Sequence, residues 1–186
     1  MKKIATLTLL LNLGIAAIHA QDRTVKMMFS GIIQVTTLIA QPASNTDEES
    51  LEGHGTFGPY TYRELHTDPA APQPSPTCSG PSQIYFPTVA GGGIFRFHEG
   101  SLLTVKVTGG GLCIDLAAGA AHLALTYQIT GGTGRFHGAS GSLTRTAIWT
   151  PVLFDSNNGV LMATDTGQFD GTVSGPGING EGQDGR

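Results

Sequence analysis

The clearest pattern along the chain is a two-residue alternation of apolar and polar positions. In the run 123–130, Leu123, Leu125, Tyr127 and Ile129 share one side, and Ala124, Thr126, Gln128 and Thr130 take the other. That is the signature of a half-buried strand. Leu103, Val105 and Val107 repeat it, and Phe95 with Phe97 predicts a strand ending at His98. Met27, Phe29, Ile33, Val35 and Ile39 fall on one parity, interrupted by Ile32 and Leu38 on the other. Further strands are predicted around 56–65, 112–117, 141–150, 159–165 and 167–174. None of these segments carries a helical period.

The residues between the strands are turn formers. Glu99-Gly100 predicts a tight connection, Gly109-Gly110-Gly111 a break between two strands, and Asn158-Gly159 a hairpin. Pro59 implies a bulge or a strand start near Tyr60. Short strands with such punctuation make a sandwich or a barrel, and closure removes the exposed edges that invite aggregation. The expected fold is therefore all-β, a single closed antiparallel barrel. Three stretches read as irregular. Residues 41–53 are a polar, acidic loop. Residues 66–83 carry Pro69, Pro72, Pro74, Pro76 and Pro81 and form an extended loop pinned by Cys78. Residues 175–186 form a flexible tail with little to bury.

The first residues stand outside this pattern. Met1-Lys2-Lys3, an apolar run from Ile4 to Ile18, and Ala20 have the order of a secretory signal peptide cleaved after Ala20. The apolar run, about 15 residues, is shorter than the roughly 20 needed to span a bilayer. The division is signal peptide 1–20, barrel domain 21–174 and tail 175–186, with export to the periplasm or beyond. Lys2 and Lys3 belong to the leader, so the remaining chain carries 8 basic against 14 acidic residues, a net of −6. Such a chain has no general attraction for nucleic acid or anionic lipid, and no later run is long enough for a membrane span. An oligomer is compatible with this sequence, which does not specify one. Cys78 and Cys113 are the two cysteines, and in an exported protein they pair as a disulfide. Neither has the spacing of a metal pair or a thiol nucleophile.

The run Ile129 to Leu143, ITGGTGRFHGASGSL, is rich in glycine without being a nucleotide loop. His137 stands where the dinucleotide fingerprint wants its last glycine, no Gly-Lys-Ser/Thr is present, and no helix start follows. Nor is there a Gly-x-Ser-x-Gly elbow. A structural reading fits better. Gly131, Gly132 and Gly134 allow a positive-φ turn after a strand, Phe136 anchors it in the core, and Gly138, Ala139 and Gly141 allow close packing. This run closely resembles the corresponding strand–turn–strand of allene oxide cyclases, and also the Gly-Thr-Gly-x-Phe-x-x-Ala-x-Gly run of dirigent proteins. More widely, the chain is similar to bacterial secreted proteins of the allene oxide cyclase barrel-like group, which pair the motif with a segment like Gly55-Thr-Phe-Gly-Pro-Tyr-Thr-Tyr62. The resemblance is specific over about residues 122–145 and implies an eight-stranded antiparallel, lipocalin-like barrel. It assigns no catalytic residue: His137 and Ser140 stand where the plant cyclases usually have Glu and Tyr.

Candidate chemistry is sparse. Tyr60, Tyr62 and Glu64 share a parity and would form a polar cluster if they pointed into the barrel. The cost of burying an unpaired carboxylate instead favours an outer face or rim. His54, His66, His98, His122 and His137 have no spacing that places two on one face, so surface or turn positions account for them, and neither a metal nor a cofactor is expected. Arg135 and His137 are both expected to be exposed beside a turn. Asp115 and Cys113 would face outward if Leu112, Ile114 and Leu116 face the core. Trp149 reads as a strand-end core aromatic, and Asp155 to Gly159 as a hairpin turn rather than a calcium loop. The expected function is a non-enzymatic barrel that binds a small apolar molecule or serves as an envelope interaction module. The alternative is an isomerase or cyclase acting on an oxidised lipid-like substrate, with Glu64 or a tyrosine at the base of a deep pocket.

Overall fold

The computed structural model describes residues 21–38, 40–74, 78 and 83–178. Residues 1–20, Ile39, residues 75–77 and 79–82 of the proline-rich stretch, and the last eight positions lie outside them. Among the described residues nine strands run β1 Gln21–Val35, β2 Ser44–Gly55, β3 Gly58–Pro69, β4 Gln83–Pro87, β5 Ala90–Phe97, β6 Leu102–Asp115, β7 Ala120–Gly132, β8 Ser140–Phe154 and β9 Val160–Gly175. Among the described residues the one helical element is a 3-10 turn, Gly134–Phe136.

Eight strands close into an antiparallel barrel in the order β5-β3-β2-β1-β9-β8-β7-β6, with β6 returning to β5. The ninth, β4, lies outside the ring and pairs with the second half of β6, Gly111–Asp115. The first half of β6 pairs with β5. The glycine run 109–111 sits where β6 changes partner. It does not end a strand, as expected, but forms a bulge with a register shift between Val107 and Gly109. Gly110 has φ +107°, and a Cβ there would meet the Ala124 carbonyl oxygen at 2.0 Å. Only glycine lets the strand turn there without parting from β7.

The alternating positions point inward. Met27, Phe29, Ile33, Phe95, Phe97, Leu103, Val105, Val107, Leu123, Leu125, Tyr127 and Ile129 are all buried. Val35, on the same parity as Ile33, is exposed near the end of β1. The predicted segments 159–165 and 167–174 are one strand, β9, and 112–117 is the end of β6. The polar stretch 41–53 is the largest departure from expectation, because its residues from Ser44 onward are strand β2. Both of its edges are paired, to β1 and to β3, and this ladder overrides the weak strand propensity of Asn, Asp and Ser. Pro59 sits next to the strand start at Gly58, after the two-residue turn Thr56-Phe57.

One end of the barrel is plugged. Phe136 is fully buried against Phe57 and Phe97, with ring centroids 5.1 and 4.7 Å away. Arg135, expected to be exposed, is instead half-buried: its guanidinium lies over the rings of Phe57, Phe97 and Phe136 and bonds the Phe57 carbonyl at 2.6 Å. Ile178, just past β9, is buried as well. At the other end, the Cys78–Cys113 disulfide, Cα atoms 5.6 Å apart, ties the proline-rich loop to β6. Asp115 accepts from the backbone N–H groups of Ala117 and Ala118 and so caps the β6–β7 turn. Asp155 does the same for the β8–β9 hairpin, accepting from Asn157 and Gly159.

Candidate functional site

The inward face of β3 changes character along its length. Tyr60 packs against Phe95 and Phe97 near the plug, and Tyr62, Glu64, His66 and Asp68 follow toward the open end. The expected outward or rim placement of Tyr60, Tyr62 and Glu64 is thus reversed: all three are buried, Glu64 at 2% exposure. His66, expected at the surface, is 1% exposed, whereas His54, His98, His122 and His137 are exposed. The reversal is affordable because the carboxylate is not alone.

Glu64 Oε2 accepts from the Tyr62 hydroxyl, from the Tyr127 hydroxyl at 2.9 Å, and from Arg145 Nη1 at 3.5 Å. Arg145, on β8, also bonds Glu49 on β2 and Asp165 on β9. Its guanidinium lies 5.0 Å from the centre of the Phe29 ring and 5.7 Å from that of Phe169. One buried cation therefore holds three carboxylates from three strands. Glycine makes the room: a Cβ at Gly93 on β5 would sit 2.3 Å from the Tyr62 hydroxyl.

Beyond this layer lies His66. Its Nδ1 is 3.5 Å from Glu64 Oε1 and 3.7 Å from Glu49 Oε1, and its Nε2 is 3.7 Å from Asp47 Oδ2 and 3.8 Å from Asp68 Oδ2. Trp149 stacks on its ring, centroids 6.0 Å apart. Burial alone would lower the His66 pKa, but the surrounding Glu64, Glu49 and Asp68 raise it to about 10. Burial pushes Glu49 up to about 7 against the pull of Arg145, and Asp47 up to about 6 against that of His66. Burial likewise raises Asp68 and Asp165. Burial also acts to raise Glu64, but His66, Arg145 and Tyr62 together hold it below the usual carboxylate range. The cluster thus contains one firmly ionised acid and several that keep their protons more tightly than in water.

The open end forms a cup of about 630 Å³. Its walls are mainly apolar, with Ile33, Phe86, Leu112, Trp149, Phe154 and Ala163 among them. Asp47 and Asp68 also line it, and His66 and Glu64 do not. This is an apolar recess with a few convergent polar groups, the usual form of a small-molecule site. Asp47, His66 and Asp68 are also the three side chains whose ligand atoms converge closely enough to hold a metal ion, all within 4.8 Å of one another.

No protein-family model and no curated protein matches the chain. Among solved structures, it is similar to the pterocarpan synthase dirigent protein GePTS1, at 12% identity and a TM-score of 0.36, over 90% of this chain and 99% of that one. The barrel assignment itself rests on the strand pairing described above.

The remaining sequence candidates are structural in their surroundings. Gly131, Gly134, Gly138 and Gly141 all have positive φ, and Gly132 leaves room for Phe136, whose Cβ would lie 2.6 Å from an added methyl. Ala139 is buried in the plug. Sequence reasoning missed Asp47, Glu49, Asp68, Arg145 and Asp165. A signal for two of them was present. Arg145 shares the parity of Leu143, Ala147 and Trp149, and Asp165 that of Ala163 and Phe169. A charge inside an apolar alternation marks a buried partner.

Proposed function

We propose that this is an exported, non-enzymatic barrel that holds a small, largely apolar molecule in the open cup. The observation that carries the reading is the cup itself, apolar-walled, with Asp47 and Asp68 at its floor. The walls supply affinity by removing apolar surface from water. The two acids select a ligand that presents a hydroxyl, amine or other hydrogen-bond donor at its buried end, since a ligand without one would strand them. Export fits the leader-like first 20 residues and the Cys78–Cys113 disulfide.

The enzyme alternative, an isomerase or cyclase for an oxidised lipid-like substrate, keeps one observation in its favour: Glu64 faces inward beside Tyr62 and Tyr127. Against it, Glu64 does not line the cup, and its Oε2 is already engaged by three donors.

The chain contains one tryptophan, and it lies in the cup wall. Trp149 fluorescence therefore reads occupancy directly. The test is native mass spectrometry of the mature protein from its own host, followed by solvent extraction and titration of the stripped protein with the neutral dye Nile red. A reproducible bound mass, with dye binding that quenches Trp149 and is blocked by Ala121→Phe in the cup wall, is the expected result. A clean apo mass with no dye binding overturns the reading. Turnover of the extracted compound by the purified protein would move it to the enzyme alternative.

A further inference from the structure

We propose that Asp47, His66 and Asp68 form a binding site for a divalent transition-metal ion of the zinc kind, at the floor of the cup. The site follows from strand geometry. Asp47 on β2 and His66 on β3 are directly opposed in the ladder, and Asp68 is the next residue after His66 on the same face. All three side chains therefore converge on one point.

The spacing fits an ion better than hydrogen bonds. The Nε2–Oδ2 separations of 3.7 and 3.8 Å exceed hydrogen-bond length. Two ligands each about 2.1 Å from a shared zinc ion stand about 3.4–3.6 Å apart at tetrahedral to trigonal angles. The three ligand atoms lie within 4.8 Å of one another, so an inward shift of at most about 1.2 Å brings every pair to that spacing.

The histidine also points to a ligand. His66 has no exposed side-chain surface, and its Nε2 has no hydrogen-bond partner. Asp68 Oδ1 is also buried without a partner. A buried polar group in this condition is costly unless something fills the gap. The other ring nitrogen completes the pattern. Nδ1 lies 3.5 Å from Glu64 Oε1 and 3.7 Å from Glu49 Oε1. A carboxylate behind Nδ1 fixes the tautomer that leaves Nε2 free to ligate.

Charge balance argues the same way. Among the described residues, the buried acids are Asp47, Glu49, Glu64, Asp68 and Asp165, and the buried cations are His66 and Arg145. Arg145 serves Glu49, Glu64 and Asp165. The two acids left at the floor share only His66. A divalent cation there neutralises both. The two aspartates line the cup, so a fourth position on the ion faces it, open to water or to a donor atom of a bound molecule.

The test is zinc titration of the full mature, tag-free chain after chelator treatment, read by competition with a chromophoric chelator. X-ray absorption of the loaded protein runs alongside. One equivalent of zinc, with one imidazole and otherwise oxygen ligands, is expected. His66→Gln and Asp68→Asn should each weaken binding about a hundredfold or more, at or beyond the loss typical of changing an outer partner, while exposed Glu52→Gln leaves it unchanged. Folding of each variant is checked by circular dichroism. If His66→Gln does not fold, Asp68→Asn and the ligand shell decide. Absence of stoichiometric binding, binding unaffected by the substitutions, or a shell without imidazole overturns the proposal. Nile red binding by the metal-free protein separates this site from the cup reading. Zinc binding without dye binding leaves the metal site standing alone, and dye binding without zinc binding removes it.

Discussion

Glu49 and Glu64 face each other directly across the β2–β3 ladder, both inside the barrel. Two like charges in opposed positions would push the strands apart. Arg145 from the far wall bonds both and prevents it. The interior is thus held by an ion network rather than by apolar packing alone. Replacing the cation should leave Asp165 uncompensated and Glu49 and Glu64 sharing only His66. Arg145→Met is expected to cost about 3–5 kcal/mol, measured as a lowered urea midpoint. Adding Glu49→Gln and Glu64→Gln to Arg145→Met should recover part of that loss, because the sites are coupled. The exposed Arg63–Glu48 pair, 3.1 Å apart, provides the contrast: Arg63→Ala should change stability by no more than about 1 kcal/mol.

The tyrosines predict alkaline sensitivity. Burial raises the phenols of Tyr60, Tyr62 and Tyr127 above their ordinary value of 10.0. The folded barrel disfavours the phenolate and the unfolded chain does not. Their contribution is therefore intact below pH 10 and is lost as the pH rises through the raised values. Each such group lowers stability by about 1.4 kcal/mol per pH unit above its unfolded pKa. Alkaline titration followed by phenolate absorbance should show these three ionising only as circular dichroism reports unfolding. Early, reversible ionisation of all the tyrosines in a folded barrel would contradict this burial.

The disulfide joins positions separated by 35 residues. Reduction, or Cys78→Ser with Cys113→Ser, is expected to lower stability by about 2–4 kcal/mol without dissolving the barrel, since β4 pairs outside the ring. Urea unfolding with and without reductant checks the size. Intact mass, two hydrogens below the reduced chain, checks the bond.

At the plugged end, Phe136→Ala should cost about 3–5 kcal/mol by opening a cavity among Phe57, Phe97 and Arg135. Gly141→Ala should also be destabilising. Gly141 has φ +127°, and a Cβ there would lie 2.2 Å from the Thr172 carbonyl oxygen. Thermal unfolding of both variants tests whether the glycine motif serves the fold. If neither moved the midpoint, the motif would need another explanation.

Much of the barrel was legible from alternation. Leu123 to Ile129, Leu103 to Val107 and Phe95 with Phe97 each carry an apolar face, and that face is the core. Period-2 patterning works there because one side of the strand meets apolar neighbours and the other meets water. It fails on β2, where the inward positions include Asp47 and Glu49 and the outward ones include Glu48 and Ser50. With polar residues on both faces there is no alternation to detect. A strand reads as an acidic loop.

The local chain by itself determined the strands that bury apolar side chains, the hairpin at Asn158-Gly159 and the two cysteines available to pair. Only tertiary structure decided which way Tyr62, Glu64 and His66 point. Their parity is visible in the sequence, but its sign depends on whether compensating groups await inside. Those groups are Arg145 and Tyr127, 81 and 63 positions from Glu64. Desolvation of a carboxylate forbids burial of Glu64 alone and permits it when closure of the barrel brings these partners within reach.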